Sequence, residues 1–168
     1  MQVDALNETG QGLPTETRLT SADIQGGLSR ARYKLILNQR CRDWVEKLLR
    51  NLFGENPSSV SIVQRLNNAT FNLSSQPSSF DYGDFHTFAT TGHGTYSVTI
   101  YPYAHSMSPS DFAVGLIHEA FHMGPQAKDD FQMWQASVGN FNISLPHTPE
   151  GLRLASSSWN RMLQQHCQ

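Results

Sequence analysis

Three residues of one short segment carry the chemistry that this chain could perform. His118 and His122 stand four positions apart within Ser108 to Met123, which reads as one amphipathic helix. Four residues turn an α-helix through about 400° and raise it about 6 Å, so the two imidazoles stack on one side and can grip one ion. A catalytic zinc asks for such a pair. Glu119 lies about 100° further round, within reach of a water on that ion but not among its ligands, where zinc hydrolases keep a general base. His-Glu-x-x-His arises by chance roughly once in a hundred chains of this His and Glu content, so zinc hydrolysis is the reading to displace.

A catalytic zinc takes three protein ligands and leaves one position for water. The third ligand must come from downstream chain folded back on the histidine face. Gly124-Pro125 ends the helix, and Asp129 and Asp130 follow at the start of another. A carboxylate in that first turn can aim at the ion. Asp130 is the first choice and Asp129 the second, with Glu150 and His147 further off. At least one of the two aspartates is spent on capping and on the helix dipole.

The elements that must position these residues follow from periodicity and punctuation. Ser21 to Gln39 carries Ile24, Leu28, Ala31, Leu35 and Ile36 at helical spacing, with Gly26-Gly27 weakening its first turns. Cys41 to Phe53 is a stronger helix with Trp44, Val45, Leu48, Leu49 and Leu52 on one face and Gly54 as its stop. Ser58 to Leu66 predicts a short third helix. Asn67 to Gly94 turns to loops and short strands, Thr70-Phe71-Asn72 among them. Gly94 to Tyr101 alternates β-branched and aromatic residues and is the clearest strand. Ser108-Pro109 opens the motif helix, whose histidine side also carries Asp111 and Gly115; the glycine is expected to leave room beside the rings. Helices near Asp130 to Val138 and from Thr148 to about Gln165 complete the chain. The expected fold is α+β: N-terminal helices, a small sheet with the motif helix packed beneath it, and C-terminal helices. Residues 1–20, polar and with Gly and Pro, read as a flexible linker, and 21–168 as one domain.

The composition narrows the function further. The chain has 168 residues, 38% hydrophobic and 15% charged, with a net charge of -2. This is globular, without the basic footprint of a nucleic-acid binder and without a run long enough to span a membrane. The N-terminus lacks the pattern of a secretory leader. The two cysteines, Cys41 and Cys167, exclude a four-cysteine zinc site. Either they form a bridge that pins the last helix to an early one, adding about 4 kcal/mol by chain entropy, or they are two reduced thiols. A bridge would point to an extracytoplasmic or secreted setting.

The strand GTYSVTIYP followed by HEAFHMGPQAKDD and a further helix resembles the zincin class of zinc metallopeptidases. More narrowly, it resembles bacterial zincin-like domains at the C-terminus of large surface or secreted proteins, some with RHS-type repeats. The likeness covers roughly Val98 to Val138. It implies that His118, His122 and Asp130 are ligands to one Zn2+ and that Glu119 is the catalytic base. Metzincins carry a glycine and a third histidine after the motif, where Lys128 stands here, and thermolysin-like enzymes carry a helical Glu about twenty residues on, which this chain lacks.

On this reading the substrate is a peptide or protein, hydrolysed through a zinc-activated water. The strand from Thr95 to Tyr101 offers an edge for an extended peptide, and Tyr101, Tyr103, His105 and His147 are candidates to stabilise the oxyanion. His86 and His93, in Gly-rich loops, could hold a second metal. Two other classes stand beside the peptidase. One is a zinc-binding interaction module of a larger parent protein, without turnover. The other is a metal-free helical domain.

Overall fold

The computed structural model describes residues 19–168. The expected linker falls almost wholly outside them; its last two residues belong to the fold, Leu19 packing on the core and Thr20 capping the first helix. The chain runs α1 (Ser21–Ile36), α2 (Gln39–Phe53), α3 (Val60–Asn68), β1 (Thr70–Leu73), β2 (Ala89–Thr91), β3 (Ser97–Ile100), α4 (Pro109–Ala120), α5 (Asp130–Val138) and α6 (Pro149–Cys167). A 3-10 turn, Pro102–Ser106, joins β3 to α4. The fold is α+β, as its periodicities predict.

Local chemistry places most of the boundaries. Thr20 and Asp23 form a capping box on α1, Asn38 caps α2, Ser108 caps α4 and Thr148 caps α6. Asn38 also explains why the first helix stops at Ile36 rather than Gln39: its side chain accepts from Cys41 N and starts α2 two residues before the predicted Cys41. The strand expected over Gly94 to Tyr101 is regular only from Ser97 to Ile100, because Gly94, at φ 78°, and Thr95 form the turn from β2.

The sheet has the order β1-β3-β2. β1 runs parallel to β3 with Phe71 opposite Val98, and β2 runs antiparallel to it with Thr91 opposite Val98. β3 therefore lies in the middle, paired on both sides, and cannot offer the free edge expected of it. The edges are β1 and β2, and β2 was not foreseen.

Helix α4 is the centre of the molecule. It packs on α1, α3 and α6, and it meets the sheet through β2. Nine of its residues, Phe112 to Ala120, are buried. Gly27 is the notch that lets α1 approach: a Cβ there would stand 2.6 Å from the Phe112 ring. Gly115 serves the same purpose on the other side, where a Cβ would meet Phe88 at 2.5 Å. It seats a phenylalanine and does not leave room for the histidines.

The last helix is tied down at its C-terminal end. Cys41 of α2 is bonded to Cys167 of α6, across a sequence separation of 126 residues. Lys34, buried, donates to the Cys167 carbonyl at 2.6 Å and to Ser110 Oγ at 3.0 Å. No helix among the described residues is long and apolar enough to cross a membrane.

Candidate metal centre

His118 is in the last turn of α4, and His122 stands two residues beyond the helix, which ends at Ala120 rather than Met123. The turn past Ala120 is tightened by i→i+3 bonds, from Phe121 N to His118 O and from His122 N to Glu119 O. Arg65 of α3 donates to the Ala120 carbonyl at this end, satisfying one of its unpaired acceptors. Gly124, at φ 76°, then reverses the chain, and Gly94 N and Lys128 N bond back to the His122 and Phe121 carbonyls. The reversal delivers α5 against the histidines.

The two aspartates at the start of α5 divide their work. Asp129 is the N-cap, in a capping box with Gln132. Asp130 turns inward: its Oδ1 lies 3.1 Å from His118 Nε2 and 3.2 Å from His122 Nε2. Ligand atoms of a tetrahedral zinc with bonds of about 2.0–2.1 Å stand about 3.3 Å apart, so these spacings suit one ion. His118, His122 and Asp130 are the one such group of three among the described residues.

The hydrogen bonds behind these groups decide what they present. His118 Nδ1 faces Asn160 Oδ1 at 3.0 Å, and His122 Nδ1 faces the Lys128 carbonyl at 2.6 Å. Each Nδ1 thus donates, and in its neutral form each imidazole turns an Nε2 lone pair toward Asp130. Asp130 Oδ1 is an acceptor too. With both imidazoles neutral the three acceptors crowd together and repel unless positive charge, a proton or a metal ion, sits among them, and the donor set of two imidazoles and one carboxylate is one that zinc accepts. Burial by itself would push the His122 imidazole down; the hydrogen bond and charge of Asp130, with Glu119 behind it, more than reverse this and raise it. Burial likewise opposes ionisation of Asp130, yet the two histidines hold its carboxyl well below the usual carboxylate range. Both shifts express the pairing of the histidines with the Asp130 carboxylate.

Trp159 of α6 touches all three groups. Its ring stacks on His118 with centroids 3.9 Å apart and meets His122 edge-on at 6.2 Å, while Nε1 donates to Asp130 Oδ1 at 2.8 Å.

Glu119 is buried beside this trio. Burial raises its carboxyl pKa, against the pull of His122, His118 and a hydrogen bond from Thr91. Thr91 Oγ1 of β2 donates to Glu119 Oε2 at 2.6 Å, which leaves Oε1 free of protein partners among the described residues.

His118, Glu119, His122 and Asp130 open onto one cleft of about 1010 Å³, walled by β2, the segment from Ser79 to Phe88, the start of α5 and one face of α6. Of the four oxyanion candidates, Tyr103 and His147 line the cleft. Tyr103 stacks on His86 and His147 on Phe131, so both are already engaged. Tyr101 bonds the Thr90 hydroxyl, and His105 is exposed and does not line the cleft. Glu150 is exposed in the first turn of α6. His93 lines the cleft, and His86 stands 3.5 Å from Asp81.

Sequence reasoning missed Thr91, Asn160 and the part played by Trp159. The one signal available was the polar Asn beside a buried Trp on a helix, a position that asks for a partner. The chain matches no protein-family profile, no curated protein and no solved structure.

Proposed function

We propose that this chain is a zinc-dependent metallopeptidase domain of zincin type, with His118, His122 and Asp130 as ligands and Glu119 as general base. The observation that carries the reading is the convergence of three lone-pair donors beside a buried, unpaired-oxygen carboxylate in one large cleft. A zinc ion held by the three would supply Lewis acidity toward a peptide carbonyl and lower the pKa of water at the site.

The protein's own residues do the rest. Thr91 holds one oxygen of Glu119, and the free oxygen can take a proton from the attacking water and return it to the leaving amine. Burial strengthens that carboxylate as a base. Asn160 and the Lys128 carbonyl fix the ring planes and tautomers of the two histidines. β2 is an edge strand and lines the cleft, so it can take an extended peptide by strand addition, the part first given to β3. The bridge between Cys41 and Cys167 supports a place outside the cytoplasm, as a module of a larger surface or secreted protein.

Retention of Glu119 favours turnover over a purely structural zinc site, which needs no base. The test pairs metal analysis with cleavage of a broad peptide library by the wild type, Glu119→Gln and His118→Ala. Glu119→Gln should keep zinc and lose about 10²–10⁴ in rate, and His118→Ala should lose both. Stoichiometric zinc without any cleavage would replace the peptidase with the zinc-binding interaction module.

A further inference from the structure

Arg153 is the one arginine or lysine among the residues lining the cleft. Its surroundings are unusual for a surface arginine. The guanidinium lies over the Tyr82 ring, 4.6 Å from its centroid, and Nε donates to the Phe80 carbonyl at 3.4 Å. Among the described residues no carboxylate lies within ion-pair distance of it, and its two terminal nitrogens have no acceptor. One edge of the fork is pinned and its plane is stacked, while the edge that binds a carboxylate bidentately is free. An arginine held in this way loses little conformational freedom on binding.

Its position relates it to the metal centre. Arg153 and Asn160 are seven residues apart on α6, nearly two full turns, so they share the helix face that lines the cleft. Asn160 touches His118. The backbone of Arg153 therefore stands about 10 Å along the helix from that of Asn160, a span of about three residues of extended chain. Away from the metal centre, Asp84, Asp111 and Asp129 also line the cleft and repel an anion. Arg153 is the one permanent positive charge there on which a substrate carboxylate can settle.

We propose that Arg153 is a carboxylate-binding subsite of this cleft, which takes peptides bearing a carboxylate two or three residues from the cleaved bond. This rests on the peptidase reading. The carboxylate is either an Asp or Glu side chain or the α-carboxylate of a peptide end.

The test uses four peptide sets on the zinc-loaded protein. One set has Asp or Glu two or three residues from the cleaved bond, and one has Asn or Gln there. The other two end in a free acid or an amide at that distance. Cleavage is measured with the wild type, Arg153→Gln and Arg153→Lys, and binding by anisotropy with Glu119→Gln alone and combined with Arg153→Gln. Wild type should favour the acidic member of one pair by about tenfold in kcat/KM, carried by KM, and which pair responds identifies the source of the carboxylate. Arg153→Gln should bring that ratio to about one. Arg153→Lys should retain a part of it, because charge survives but the fork does not. Cleavage without acidic preference, or a preference that survives in Arg153→Gln, overturns the subsite and leaves the peptidase reading standing. Acid-selective binding without cleavage supports the subsite and overturns the peptidase. No binding of any peptide overturns both.

Discussion

The indole of Trp159 donates to Asp130 Oδ1 at 2.8 Å while its ring lies on the imidazole of His118, 3.9 Å between centroids. One buried side chain thus orients a carboxylate and an imidazole that come from two other helices. Trp159→Phe keeps a stacking ring and removes the N–H. Zinc affinity should fall by about 10- to 100-fold, the usual cost of removing a group that orients a ligand. Competition with a chromogenic chelator measures this, and in an Asp130→Ala background the same change should cost little more. An equal loss in both backgrounds would make Trp159 a packing residue only.

Thr91 and Glu119 form a second such pair, 2.6 Å apart. Thr91→Val removes the hydroxyl at almost constant volume and should lower kcat by about tenfold or more, the worth of a hydrogen bond to a charged group. Zinc content should not change, since Thr91 touches no ligand. Thr91→Ser should recover most of the rate. A kcat unmoved in Thr91→Val would show that packing alone positions the carboxylate.

Gly115 should behave opposite to an ordinary helical glycine. In an open helix Gly→Ala stabilises by about 1 kcal/mol. Here the new Cβ would stand 2.5 Å from the Phe88 ring, so Gly115→Ala should destabilise the fold by about 1–3 kcal/mol. Thermal unfolding of the variant decides the sign. Gly115→Ala in a Phe88→Leu background should be milder, as the obstruction is then smaller.

The bridge between Cys41 and Cys167 closes a loop of 126 residues, long enough for about 4–5 kcal/mol of chain-entropy stabilisation. Replacing both cysteines by alanine should cost about 2–5 kcal/mol, read as a lower midpoint in denaturant. α6 carries Trp159 and Asn160, so the same variant should also bind zinc more weakly. Unchanged metal affinity would mean that Lys34 and packing hold the helix unaided.

His166 supplies a pH dependence remote from the metal centre. It stacks on Trp44 at 4.8 Å, and burial, with Arg40 and Lys47 nearby, lowers its pKa from 6.5. A histidine with a depressed folded pKa favours the neutral form in the native state. Its contribution is present above pH 6.5 and is lost as pH falls through the folded value. The wild type should therefore lose stability on acidification below about pH 6.5 more steeply than His166→Phe. Denaturant midpoints of both proteins between pH 7 and pH 5 test this; parallel curves would remove His166 as the cause.

Much of this molecule is written locally in its sequence. The spacing of His118, Glu119 and His122, the Ser108 cap, the Gly124-Pro125 stop and the Asp129-Asp130 pair are features of neighbouring residues. Helical period and capping chemistry need no knowledge of the rest of the chain. A pair of cysteines in an otherwise cysteine-free chain has one possible internal bridge, and it forms. Tertiary structure alone decided which strand is an edge, because pairing order in a sheet is a long-range choice and the three-residue β2 has too few residues to show an alternation. It alone brought Thr91 to Glu119, 28 residues away in sequence, and Asn160 to His118, 42 residues away. It also turned Gly115 from a space beside the histidines into the seat of Phe88. Ligands can be read from spacing along one helix. The groups that orient them come from other elements, and only packing sets those distances.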